Sequence, residues 1–109
     1  MRGDVHRLRA PRTTRGREQA GQRYAIVLQS DALPLSTLLI APTSTSARPA
    51  SFRPEVVISG TPTRVLVEQT TAVDPSRLGD VVGLLAVDEM GEVDRALGLV
   101  LGLDGSDSA

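Results

Sequence analysis

The sequence has no cysteine, no lysine and no tryptophan, and its aromatic content is Tyr24 and Phe52 with a single histidine, His6. Without cysteine there are no disulfides, no zinc ribbon and no thiol chemistry, which fits an intracellular setting. One histidine leaves no His-based metal site within one chain. With so few aromatics the core must be built from Val, Leu, Ile and Ala. All twelve basic residues are arginine, so every side-chain positive charge has the planar geometry that matches phosphate. No apolar run approaches the ~20 residues of a membrane-spanning helix, and no apolar leader follows Met1. The expectation is a soluble, cytoplasmic protein.

At 109 residues the chain is expected to form one domain over 1–103, with 104–109 as a disordered acidic tail. A net charge of −1 conceals a polarity. Residues 1–23 hold seven arginines against Asp4 and Glu18, a balance of +5, and residues 80–109 hold seven acids against Arg95, a balance of −6. That asymmetry suits an anionic partner at one end of the molecule.

Apolar patterning predicts short strands over 3–9, 23–31, 36–42, 55–60, 61–73 and 81–87. Val5 and Leu8 are read as the inner side of the first, and Val65, Val67 and Gln69 as alternating along the fifth. The intervening 10–22 is polar, basic and rich in turn residues, hence a long loop. From Asp88 the period changes: Met90, Val93, Leu97, Val100 and Leu101 recur on one helical face, and Asp88, Glu89 and Glu92 occupy the first turns. Strands followed by one helix imply a small, mostly antiparallel barrel with a helix packed on it.

Phosphate-binding, nucleophile-elbow and zinc-protease motifs are absent, and no strand-end spacing suggests a glycosidase carboxylate pair. Two features carry chemistry. Arg23 opens an otherwise apolar strand, and Thr43, Ser44, Thr45 and Ser46 form a hydroxyl run at the end of another. A solvated strand end and a polar loop are the plain alternatives. No base stands beside a hydroxyl, so a serine-type nucleophile is not expected. An arginine with a hydroxyl suits a phosphodiester, where guanidinium stabilises charge on the phosphate and RNA brings its own nucleophile, the 2′-hydroxyl.

Read together, "RGDV" (2–5), "GREQAGQRYAIVLQSD" (16–31), "LLIAPTSTS" (38–46), "RVLVEQTTAVDPSRLGDVVGLL" (64–85) and "DEMGEVDRALGLVLGL" (88–103) resemble the MazF/PemK (Kid-like) toxin family of toxin–antitoxin modules in order and spacing. Each segment is a weak signal, and together they span nearly the whole chain. The resemblance implies an SH3-like antiparallel β-barrel with a C-terminal amphipathic helix, acting as a homodimer. It implies sequence-specific cleavage of single-stranded RNA, chiefly mRNA, to 2′,3′-cyclic phosphate and 5′-hydroxyl ends. No metal or cofactor would be used, and translation and growth would stop. The partner would be a MazE-like antitoxin with an acidic, disordered tail.

On this resemblance the catalytic arginine falls on Arg23 and the catalytic threonine on Ser44, with Thr43 or Thr45 as replacements if the register slips by one. Arg15, Arg17, Glu18, Gln22, Thr43, Thr45, Arg48 and Gln69 are the RNA-binding candidates, and Arg12 joins Arg15 and Arg17 as a possible phosphate contact. Three departures stand out. Tyr24 replaces the proline after the arginine, Ser44 replaces the threonine, and His6 and Leu8 replace first-strand aromatics that would stack bases. His6 as general base is weighed against a structural strand histidine. The other readings are a CcdB-like gyrase-binding toxin, against which the short acidic tail weighs, and a non-catalytic barrel that binds nucleic acid or protein.

Overall fold

The second strand of the fold is buried on both of its faces, and the architecture follows from that. The computed structural model describes residues 1–9 and 23–103. Its strands are β1 (Asp4–Leu8), β2 (Tyr24–Val27), β3 (Leu38–Ser44), β4 (Glu55–Ile58), β5 (Thr61–Val65), β6 (Thr71–Val73) and β7 (Leu78–Leu84), followed by helix α1 (Val87–Leu101). Short 3-10 turns occupy Val67–Gln69 and Pro75–Arg77. The strands are antiparallel neighbours in the order β4-β5-β3-β2-β1-β7, with β6 beside the first half of β3. The sheet curls into a half-barrel with α1 on it, as the sequence implied.

Alternation sorts side chains into two clusters. Ile26 and Leu28 of the β2 segment join Val5, Ala41, Val56, Ile58, Val65, Val67 and Leu85 inside the curl, closed by Val93 and Ala96 of α1. Ala25 and Val27 face the other way, with Ile40 and Val73. Val5 and Leu8, expected to share a face, do not, because Leu8 packs on the second cluster. An odd spacing puts strand residues on opposite faces, and the β1–β7 register also shifts on either side of His6.

β3 runs two residues further than expected, to Ser44, because its second half finds a new partner. Leu38, Leu39 and Ile40 pair with β6, whereas Thr43 and Ser44 pair with Val65 and Arg64 of β5. Between them sits Pro42, which has no N–H to donate, so the change of partner falls where a ladder bond would be missing. Its carbonyl accepts the Leu66 N–H at 2.8 Å. The single long strand expected over 61–73 is likewise two strands divided by a 3-10 turn, and Gln69 lies in that turn rather than in a ladder.

Helix α1 begins where expected and includes Gly91 and Gly98. The Glu89 carboxylate accepts the N–H groups of Ala86 and of Val57 on edge strand β4, both at 2.9 Å, and so ties the helix start to the sheet. Met90, Val93 and Leu97 pack inward, but Val100 and Leu101, expected on the same face, are exposed. Gly102 in the left-handed region ends the helix, with the Leu103 N–H bonded back to Gly98 O at 2.8 Å. No helix among the described residues is long and apolar enough to cross a membrane.

Candidate active site

The end of β3 decides which hydroxyl faces where. Ala41 points into the larger cluster and Ile40 into the smaller one, so Thr43 follows Ala41 and Ser44 follows Ile40. Thr43 is 1% exposed. Its Oγ1 accepts the Tyr24 N–H and donates to Tyr24 O, both at 3.2 Å, stapling β3 to the start of β2. Ser44 is half-buried, and its Oγ accepts the Ser46 N–H at 3.1 Å. Ser46 Oγ stands 3.4 Å from Ser44 Oγ. Thr45, past the strand, is exposed.

Arg23 enters from the neighbouring strand. Ala25 pairs with Pro42 across the β2–β3 ladder, and continuing that antiparallel register by two places sets Arg23 opposite Ser44 on the same face. Arg23 is exposed, and its Nε donates to Thr43 O at 3.2 Å. That bond fixes the plane of the guanidinium and leaves both terminal nitrogens without a partner among the described residues. An anion placed between the strand ends would meet a pre-oriented fork on one side and a hydroxyl on the other.

His6 lies on β1 opposite Ala25. Its Nδ1 stands 3.0 Å from Gly79 O. A carbonyl only accepts, so Nδ1 carries the proton and the imidazole closes the irregular part of the β1–β7 pairing. The plain, structural account of His6 therefore has a partner in the fold.

The loop after Ser44 is held by a second, internal set of charges. Arg53 donates from Nε and Nη2 to Glu68 Oε2 at 2.9 and 2.7 Å, and from Nη1 to Arg48 O at 3.3 Å, while its Cζ lies 5.4 Å from the centre of the Phe52 ring. Arg64, the cross-strand partner of Ser44, donates to Arg53 O at 2.8 Å and pairs with Glu55 at 3.5 Å. Burial pushes the Glu68 carboxyl up, but the Arg53 hydrogen bonds and charge hold it below its ordinary value. Glu68 Oε1 is buried with no hydrogen-bond partner among the described residues. No sequence signal marks the Arg53–Glu68 pair, since the two lie fifteen positions apart in different elements.

Of the other candidates, Arg48 and Gln69 are exposed, on the loop after β3 and on the 3-10 turn after β5. Arg12, Arg15, Arg17, Glu18 and Gln22 lie outside the described residues. Among the described residues no group of three or more His, Cys, Asp or Glu is placed to hold a metal ion.

Comparison with known proteins identifies the family and the fold. Residues 1–101 match the family described as PemK-like, MazF-like toxin of type II toxin–antitoxin system. A Mycobacterium tuberculosis protein named as a candidate toxin is 43% identical over 104 residues, covering 94% of this chain and 98% of its own. Among solved structures, the Mycobacterium tuberculosis toxin MazF-mt6 superposes with a TM-score of 0.74 at 19% identity, over 93% of this chain and 98% of that one. MazF from Deinococcus radiodurans superposes with a TM-score of 0.72 at 26% identity, over 92% and 94%. An endoribonuclease from a mycobacterial species, solved with its cognate antitoxin, gives 0.75 at 20% identity over 94% and 95%. The chain therefore belongs to the PemK-like, MazF-like toxin family of type II toxin–antitoxin systems.

Proposed function

We propose that the protein is a sequence-specific endoribonuclease that cuts single-stranded RNA, with Arg23 and Ser44 acting on the scissile phosphate. One observation carries the proposal: the strand register sets Ser44 opposite Arg23 on one face, while the Thr43 hydroxyl is spent on the Tyr24 main chain. In the reaction the 2′-oxygen attacks phosphorus, the bond to the 5′-oxygen breaks, and a 2′,3′-cyclic phosphate and a 5′-hydroxyl result. The Arg23 terminal nitrogens stabilise the charge that develops on the non-bridging oxygens. Ser44 Oγ accepts the Ser46 N–H, and its hydroxyl proton, with only Ser46 Oγ at 3.4 Å as an alternative among the described residues, can turn to a phosphate oxygen. Arginine accepts no proton, so the 2′-hydroxyl proton leaves to water, and water returns a proton to the departing 5′-oxygen, which becomes the 5′-hydroxyl.

A cognate antitoxin and a second copy of the chain are the proposed protein partners. Val81 and Leu84 on edge strand β7, and Val87, Leu101 and Leu103 around α1, are exposed apolar surface such partners would cover. The test is incubation of the purified chain with a long RNA in EDTA, with end-group analysis of the fragments. Fragments bearing 5′-hydroxyl and cyclic phosphate ends, lost in Arg23→Ala and Ser44→Ala, support the proposal. An intact RNA, with gyrase inhibited instead, rejects it.

A further inference from the structure

Two groups of arginines differ in what they face. Arg2, Arg53, Arg64 and Arg95 each face a carboxylate, at 2.6, 2.7, 3.5 and 3.2 Å from Asp94, Glu68, Glu55 and Glu92. Arg9, Arg23 and Arg77 have no carboxylate within ion-pair distance among the described residues, and main-chain oxygens orient them instead. Arg77 donates from Nε and Nη2 to Arg9 O at 3.1 and 2.9 Å, and Arg9 donates from Nη1 to Ser76 O at 3.2 Å. The Arg9 N–H closes the knot by bonding Arg77 O at 2.9 Å. Asp74 and Asp80 each lie three positions from Arg77; Asp74 accepts the Ser76 N–H through Oδ1, and Asp80 is exposed on β7.

The second group shares one edge of the sheet. Neighbouring antiparallel strands alternate in direction, so the end of β3, the start of β2, the end of β1 and the start of β7 lie side by side. Ser44, Arg23, Arg9 and Arg77 occupy those four positions in that order. Two bonds fix the adjacency: Leu8 N–H to Arg23 O at 3.0 Å, and Arg9 N–H to Arg77 O. At about 4.8 Å per strand, the Arg9–Arg77 knot sits one to two strand spacings beyond Arg23. Two guanidiniums on adjacent strand ends with no carboxylate in ion-pair distance among the described residues repel each other, and a bound anion relieves that repulsion.

We propose that Arg9 and Arg77 form a phosphate subsite for the RNA strand that Arg23 and Ser44 cut, so that the RNA crosses the strand ends from β3 toward β7. This rests on the endoribonuclease assignment above. Leu8 stands opposite Arg23 and Leu78, so by alternation Arg9 and Arg77 lie on the other side of the sheet from Arg23, and a polyanion reaching both passes over the rim formed by the strand ends. The carbonyl tethers lower the entropy lost when each fork closes on phosphate.

The test measures binding of a fluorescent single-stranded RNA to the Ser44→Ala chain, which leaves the strand uncut, as a function of NaCl. Adding Arg9→Ala and Arg77→Ala is expected to raise Kd by on the order of tenfold at roughly 50 mM NaCl and to flatten the salt slope by roughly 1.4, or ~0.7 for each phosphate that is no longer neutralised. In the cutting enzyme the same pair raises KM with kcat within about twofold and the same cleavage ends, unlike Arg23→Ala. Should the double variant fold poorly, Arg9→Gln retains a donor for Ser76 O while removing the charge, and a smaller shift in the same direction supports the subsite. Unchanged Kd and slope in a folded variant overturn it. So does a variant that keeps its RNA affinity but loses binding to an acidic peptide, which would make the knot a protein-docking surface. A wild type that neither binds nor cuts RNA fails at the earlier step and overturns the endoribonuclease assignment with it.

Discussion

Two arginine-rich regions flank Ser44, and they use the same side chain in opposite ways. On the β4–β5 side, Arg53 and Arg64 are half-buried and matched to Glu68 and Glu55. Their charge is neutralised within the fold, and what they supply is a fixed loop between β3 and β4. On the β2–β1–β7 side, Arg23, Arg9 and Arg77 are bonded to carbonyl oxygens, which orient a guanidinium without cancelling its charge. A guanidinium therefore signals a site less by its presence than by what its other nitrogens meet. A carboxylate neighbour makes it a strut, and a lone carbonyl leaves it a charge to be met from outside.

Substitutions on the two sides should separate cleanly, and the largest effect belongs to the uncompensated side. Arg23→Ala is expected to lower the cleavage rate by about 10²–10³-fold, as for the loss of one transition-state donor, while stability stays within ~0.5 kcal/mol. Arg53→Ala reverses the pattern. It leaves Glu68 largely buried without its partner, and melting should show a loss of roughly 2 kcal/mol, less than for a fully buried pair because both side chains are about a quarter exposed. Thr43→Val keeps the shape but strands the Tyr24 N–H and C=O, so about 1–2 kcal/mol should be lost, whereas Ser44→Ala should leave the melting point alone and abolish cleavage.

The smallest effect is the pH response. The Glu68 carboxyl is held below its unfolded value of 4.5, so its contribution is fully present above that pH and is lost as pH falls through the lower folded value. Melting curves from about pH 7 to about pH 3 should show a shallower acid loss in Arg53→Ala than in wild type. Equal slopes would mean the pair does not set the Glu68 charge.

Much of this was legible in the sequence. The helix from Asp88, the barrel class and the meeting of Arg23 with Ser44 at neighbouring strand ends followed from apolar period and from family resemblance, whereas six strands were expected and seven form. What stayed hidden depended on strand pairing. Nothing local announces that β3 changes partner at Pro42 and so carries Thr43 and Ser44 into the ladder. The break at Val67–Gln69 was masked by a β-branched run that alternates well enough for one strand. Arg9 and Arg77 are sixty-eight positions apart, and only the β1–β7 pairing makes them a unit. Period reports which face a residue occupies, whereas a site assembled from four strand ends needs the order of the strands.

The central claim is that the Arg23 charge serves the substrate and not the fold. The most direct measurement is the single-turnover cleavage rate of Arg23→Ala on a long RNA in EDTA, with its melting temperature recorded on the same sample. A wild-type melting temperature and a rate at least about a hundredfold lower are expected. A rate within a few-fold of wild type in a normally folded chain would contradict the claim.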